Sequence, residues 1–321
     1  MKSPNYLLAL CILFSAFLFS CSKSSNPVST TTTVSYSSMD TIFSMLNVQP
    51  KTLMVDAVNG GSFYGNSGTR YVFYPNSFQS PTGANVTGTV QVQVAEYLQR
   101  GDMLFSKMLP ISNNEPLISG GEINVVATQN GQSVYLRPHS FFTATIPQTD
   151  TASTGMEFFS GRPTLDTTTY KANWVHGATD SSRYNANVFV TSGTGDSINI
   201  LSDSLKFCNA DKYFQNPNYQ SFTVAIVLKD ATLTTSSTVF CYAFYDQYKG
   251  VWALGFNGKY LNGVFTENHV PNIPVHFVAM TVVNGKFYGG VLATTPATGM
   301  NYTITLSQID PMAFKTSINQ L

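Results

Sequence analysis

Three Asn-Gly pairs in this chain stand between apolar runs: Asn130-Gly131 in "EINVVATQNGQSVYLR", Asn257-Gly258 in "VWALGFNGKYLNGVF" and Asn284-Gly285 in "VHFVAMTVVNGKFYGGVLAT". Both residues of such a pair tolerate positive φ, which the type I′ turn of a two-residue hairpin demands. Each site therefore predicts two antiparallel strands joined by a tight turn. A further Asn-Gly stands at Asn59-Gly60. Between the first two pairs and the N-terminus, "GTVQVQVAEY" alternates strictly. Val90, Val92 and Val94 point one way and Gln91 and Gln93 the other, the period-two signature of a sheet with one buried face.

Further strands are predicted at "RYVFYP", "SFFTATIP", "NANVFVTS", "SFTVAIVLKD" and "STVFCYAFYD", all rich in Val, Phe, Tyr, Ile and Thr. Helix signals are few. "SMDTIFSMLN", Ser38 to Asn47, fits one short helix, and "DPMAFKTSINQL" a terminal one with Asp310 as cap and Pro311 in the first helical position. The expected class is all-β, with two β-sandwich-like domains. The long Thr-rich stretch between Asp150 and Ile200 is poor in strand periodicity and separates them. The expected division is a first sandwich over 41–150, a connecting segment over 151–187 and a second β-rich domain over 188–321.

Two segments precede these domains. Lys2 and the apolar run "YLLALCILFSAFLF", Tyr6 to Phe19, have the charge and length of a signal peptide over residues 1–20. The run is too short for a comfortable membrane span. It ends in "LFSC", which resembles the lipobox of bacterial lipoproteins: Leu18 three residues before Cys21 and the small Ser20 directly before it. The resemblance implies that Cys21 is acylated and becomes the first mature residue. Residues 21–40 then form a Ser/Thr-rich tether with little to bury. Ser22 follows the cysteine, which gives no inner-membrane retention signal. The expected location is the outer membrane, held through lipid on Cys21.

Charge narrows the partners. Charged residues are 11% of the chain, with 17 basic and 17 acidic side chains in balance. Nucleic-acid binding needs a basic excess to displace counterions, so it is excluded as an expectation. Two cysteines remain in the mature domains, Cys208 and Cys241. In an oxidising compartment they form either a disulfide, stabilising by roughly 3–4 kcal/mol, or two buried thiols acting as small hydrophobes.

Catalytic signatures are weak. "GNSG" at Gly65 to Gly68 is followed by Thr69 and lacks a defined His and Asp, so it reads as a turn between strands. His139, His176, His269 and His276 form no H-E-x-x-H, and no cysteine pair has zinc spacing; no metal or cofactor is expected. Glu96 and Glu122 stand at the edges of apolar strands. A paired-carboxylate site is conceivable there, and an acid that meets solvent is the simpler expectation. Aromatics are abundant, at 23 Phe, 17 Tyr and 2 Trp. Trp174, Tyr245, Tyr248 and Trp252 are the candidates for a surface that stacks sugars or meets a partner.

The stretch "GGSFYGNSGTRYVFYPNSFQSPTGANVTGTVQVQVAEY" resembles the β-sandwich module shared by ankyrins, netrin receptors and zonula occludens proteins. The likeness rests on Gly60-Gly61, the apolar strand Tyr71 to Tyr74, the Pro-led turn Pro75 to Phe78, and the strand Val90 to Glu96 that ends in an acid. A wider resemblance is to uncharacterised Bacteroidetes lipoproteins. It rests on Gly120 to Ala127, on Met156, Phe158, Phe159, Gly161 and Trp174, and on "KFCNADKYF", in which Cys208 and Asn209 are displaced from that pattern. These resemblances imply a non-catalytic binding or structural role toward an envelope or surface protein. A glycan-binding accessory role and a hydrolase with an unrecognised site are the alternatives.

Overall fold

Alternation along the chain becomes pleated sheet. The computed structural model describes residues 34–113, 115–148, 155–162, 173–177, 187–191, 197–214, 218–233, 237–254, 259–260 and 263–321. The signal peptide, Cys21, the tether as far as Thr33 and the Asn257-Gly258 pair lie outside these residues. Val34 to Leu321 forms one compact unit, and the chain is all-β as expected.

The first body uses β1 (Lys51–Asp56), β2 (Gly61–Tyr64), β3 (Arg70–Phe73), β4 (Phe78–Gln79), β5 (Thr89–Tyr97), β6 (Ile111–Ser112), β7 (Glu115–Gln129), β8 (Gln132–Leu136), β9 (Phe142–Pro147), β10 (Glu157–Arg162), β11 (Asn173–His176), β12 (Asn187–Thr191), β13 (Ser197–Ser202) and β14 (Phe207–Tyr213). One sheet runs β1-β5-β7-β14-β10-β11, with β4, β6 and β8 attached off this path. A second runs β12-β13-β9-β3-β2. Their inner faces share one core. Val90, Val92 and Val94 of β5 and Ile123, Val125 and Ala127 of β7 meet Tyr71, Phe73, Phe142, Ile146, Ile198 and Ile200 from the second sheet. Each Val, Ile or Phe side chain so removed from water contributes about 1.5–3 kcal/mol. The strands β12 and β13, grouped by sequence with the C-terminal half, pair into this second sheet beside β9. Ile198 and Ile200 alternate with polar neighbours, which turns them into the same core.

The second body uses β15 (Tyr219–Leu228), β16 (Val239–Tyr245), β17 (Val251–Ala253), β18 (Lys259–Tyr260), β19 (Val264–Pro271), β20 (Val275–Val283), β21 (Lys286–Thr294) and β22 (Asn301–Gln308). Its sheet runs β17-β16-β20-β21-β22-β15-β19, with β18 on β16. The two end strands approach each other again: the Trp252 ring of β17 lies 6.1 Å from the His269 ring of β19. The sheet is therefore bent nearly into a barrel, whereas the sequence predicts a sandwich here. β15 and β22 pair in parallel, a long-range contact that no local pattern announces.

Three helices complete the unit: α1 (Met39–Leu46), α2 (Arg100–Phe105) and α3 (Pro311–Asn319). The two expected helices are present. Asp310 caps α3 by accepting from the Ala313 N–H at 2.9 Å, with Pro311 at the first helical position. Ile42, Phe43, Phe105, Phe314 and Ile318 join the barrel's core cluster. The Asn130-Gly131 and Asn284-Gly285 turns have both residues at positive φ, as the hairpin reading requires. Among the described residues no helix is long and apolar enough to cross a membrane.

Candidate functional site

The outer face of the first sheet changes character along its length. At one end, register aligns Thr52 with Gln93 and Val126, and Met54 with Gln91, Thr128 and Ser133. Tyr135 of β8 is on the same side of its strand as Ser133. None of these side chains is charged, and Met54, Tyr135 and Val126 are 54%, 45% and 42% exposed.

Farther along the same face, the sheet is covered and acidic. Tyr97, Glu122, Asn209, Phe159 and His176 form one row across β5, β7, β14, β10 and β11. Asp211 follows Asn209 on β14 and stands opposite Glu157 of β10 and Ser119 of β7. A register shift at Ala210/Asp211 leaves Gly120 as an extra residue in β7. Ala95, Tyr97, Met103, Met108, Leu117, Phe159 and Trp174 form the apolar cover.

Glu122 and Asp211 are both 0% exposed. The Asn209 amide nitrogen donates to Asp211 Oδ2 at 2.5 Å and lies 3.5 Å from Glu122 Oε1. Glu122 Oε2, Asp211 Oδ1, Asn209 Oδ1 and Trp174 Nε1 lie outside hydrogen-bond geometry. Burial pushes the Glu122 carboxyl well above the usual carboxylate range, and the neighbouring Asp211 adds to this; the facing Trp174 indole pulls it partly back. Burial likewise pushes Asp211 up to about 8, against the Ser119 hydroxyl, the Asn209 amide and the Gly120 N–H. Tyr97 is raised to about 12, by burial and then by Glu122. At the edge of the row, His176 Nε2 and Glu157 Oε2 are 2.6 Å apart.

Glu96 lies on the opposite side of β5, and it is also buried. Its carboxylate accepts from the Ser67 N–H at 2.7 Å and the Thr69 N–H at 3.1 Å. A Cβ on Gly65 would come within 2.3 Å of Glu96 Oε2. The "GNSG" segment is thus a turn wrapped around a buried carboxylate, and its first glycine leaves room for that acid. The expectation that Glu96 and Glu122 meet solvent is overturned for both. They do not pair with each other, because adjacent strand residues point to opposite faces. Glu122 pairs with Asp211, which the sequence reading did not single out. Its signal was the alternation in "FCNADKY", where Cys208 and Ala210 enter the core and Asn209 and Asp211 take the other face.

The aromatic surface needs correction. Trp174, Tyr245 and Trp252 are buried. Trp174 lies over Gly161, where a Cβ would come within 2.7 Å of the ring. Tyr245 and Trp252 belong to β16 and β17, both buried throughout. Tyr248 is half-buried and stacks edge-on against Phe214, which also contacts Tyr245. Trp174 sits in a different cluster from the other three. Cys208 and Cys241 are not joined: they lie in the sandwich core and the barrel core respectively. Burial pushes the Cys241 thiol well up. The two-thiol alternative therefore describes them.

Among the described residues no group of three or more His, Cys, Asp or Glu is placed to hold a metal ion. A cleft of about 350 Å³ between α1 and the barrel is lined by Ser37, Ser38, Met39, Thr232, Ser237, Thr238, Val282, Val283 and Asn284, which offer hydroxyls, one amide and apolar groups.

No family model and no curated protein matches the chain. Among solved structures, the Bacillus anthracis TIE protein is similar at 7% identity and a TM-score of 0.19, over 82% of this chain. The chain spans 41% of that structure's length. A likeness at this level carries neither fold nor function.

Proposed function

We propose that this protein is a lipid-anchored component of the cell envelope, held at the outer membrane through acylated Cys21. It acts by binding another envelope or surface protein. The observation that carries the reading is the outer face of β1, β5, β7 and β8, where Met54, Val126 and Tyr135 stand exposed among Gln and Thr side chains and Asp56 stands at the end of β1, held by the Val58 and Asn59 N–H groups. The centre of this face, around Met54, Gln91, Gln93 and Val126, costs little to desolvate, because no charged side chain stands there. The likeness of residues 60–97 to a protein-interaction module supports the same role. So does the use of acids as internal braces: Glu96 holds a turn, and Glu122 and Asp211 are sealed beneath Trp174 and Met103.

A protein partner fits better than a glycan. Sugar stacking uses a platform of exposed aromatic rings; Trp174, Tyr245 and Trp252 are interior, and of the side chains named on this face Tyr135 alone carries a ring. The double substitution Met54→Lys and Val126→Lys places two charges on exposed positions. It is expected to leave the fold intact and to abolish co-purification of an envelope protein that binds the wild type. Undiminished co-purification would move the contact surface elsewhere. Metabolic labelling with an alkyne fatty acid tests the anchor: label on the wild type and none on Cys21→Ser is expected, and equal labelling would overturn it.

A further inference from the structure

Two carboxyl groups buried side by side cannot both be ionised without a counter-charge, and among the described residues none acts on Glu122 or Asp211. From β5 the titratable neighbour is Tyr97. From β10 and β11 come Glu157 and His176, which are paired with each other. Tyr213 of β14 shares a hydrogen bond with Ser112 of β6. On α2, Arg100 donates to the carbonyls of Tyr245 and Tyr248, and Asp102 pairs with Lys315. The Asn209 amide lies against both acids, the Ser119 hydroxyl and the Gly120 N–H face Asp211, and the Trp174 indole faces Glu122; all are neutral donors. A proton on either acid removes one of the two like charges.

We propose that Glu122 and Asp211 form a proton-dependent latch that keeps the β10–β11 hairpin, and Trp174 with it, closed on the outer face of the sheet. β10 attaches to β14 through Glu157–Ser160 against Cys208–Asp211, so Asn209 and Asp211 occupy half of that short seam. β11 pairs with β10 at the end of the strand order. Loss of the retained proton sets two like charges against each other directly beneath the hairpin. This four-residue seam is the attachment of the hairpin that lies directly beside them. Burial places that loss above neutral pH. Closed, Trp174 is 1% exposed; open, its indole and the apolar side of Phe159 face solvent.

The test is Trp174 emission in the full-length protein carrying Trp252→Phe, read from pH 6 to 9.5 with acrylamide quenching and far-ultraviolet circular dichroism. The expected result is a red shift and a several-fold rise in quenching above about pH 8, with the dichroism unchanged. Glu122→Gln cannot ionise and keeps an N–H donor for Asp211, so it should hold Trp174 protected across the range. Hydrogen exchange on the unsubstituted protein gives an independent reading, with protection lost first at residues 157–162 and 173–176. Constant quenching in the parent, an identical transition in Glu122→Gln, or loss of dichroism together with the fluorescence change would each overturn the latch.

Discussion

Replacing Glu96 tests whether the acid at the end of β5 braces the fold. Its carboxylate accepts from two backbone N–H groups at 2.7 and 3.1 Å, and the side chain is buried. Hydrogen bonds to a charged group contribute roughly 1.5–3 kcal/mol each, and a buried donor left unpaired costs a comparable amount. Glu96→Ala removes both acceptors and opens a cavity beside Gly65. A loss of about 3–5 kcal/mol follows. Glu96→Gln keeps the shape and one acceptor but turns an NH2 group toward the other N–H, so about half that loss is expected. Urea unfolding followed by circular dichroism measures both, with the slope checked for constancy. A cost under about 1 kcal/mol for the alanine variant would refute the bracing role. Equal costs for the two variants would show that packing, and not hydrogen bonding, holds the turn.

Other consequences are as direct. Asp310→Ala removes the α3 cap and should cost about 1 kcal/mol, seen as a lower Tm. Arg100→Ala frees the carbonyls of Tyr245 and Tyr248, which the guanidinium contacts at 2.7 and 3.1 Å. It should destabilise by about 2–4 kcal/mol in urea. The raised Glu122 and Asp211 give stability a pH slope. The folded state keeps protons that the unfolded chain releases above about pH 4. Their contribution is therefore complete at acid pH and declines as pH rises through about 8. The slope is about 1.4 kcal/mol per pH unit for each retained proton, and urea midpoints at pH 5, 6 and 7 should fall in that order, less steeply in Glu122→Gln.

The strands were legible wherever one face is buried and the other wet. Val90, Val92 and Val94 alternate with Gln91 and Gln93, and β5 follows. The Asn-Gly turns fixed two hairpins, and Asp310-Pro311 fixed the start of α3. The six-residue α2 was missed, because "RGDMLF" is too short to show a helical period. The aromatic candidates failed for the opposite reason. β16 is buried on both sides, so no alternation distinguishes a surface tyrosine from a core one. The acid pair was hidden by distance: Asn209, which bridges Asp211 and Glu122, is 87 residues from Glu122. Only the pairing of β7 with β14 brings them together.

A photo-crosslinking residue at Gln93, in the middle of the outer face of β1, β5, β7 and β8, tests the binding role most directly. The control site is exposed Lys286 on the barrel. In cells expressing the lipid-anchored protein, the account predicts a discrete adduct with one envelope protein from Gln93 that is absent from Lys286 and lost in Met54→Lys/Val126→Lys. Adducts of the same protein from both positions, or from Lys286 alone, would contradict it.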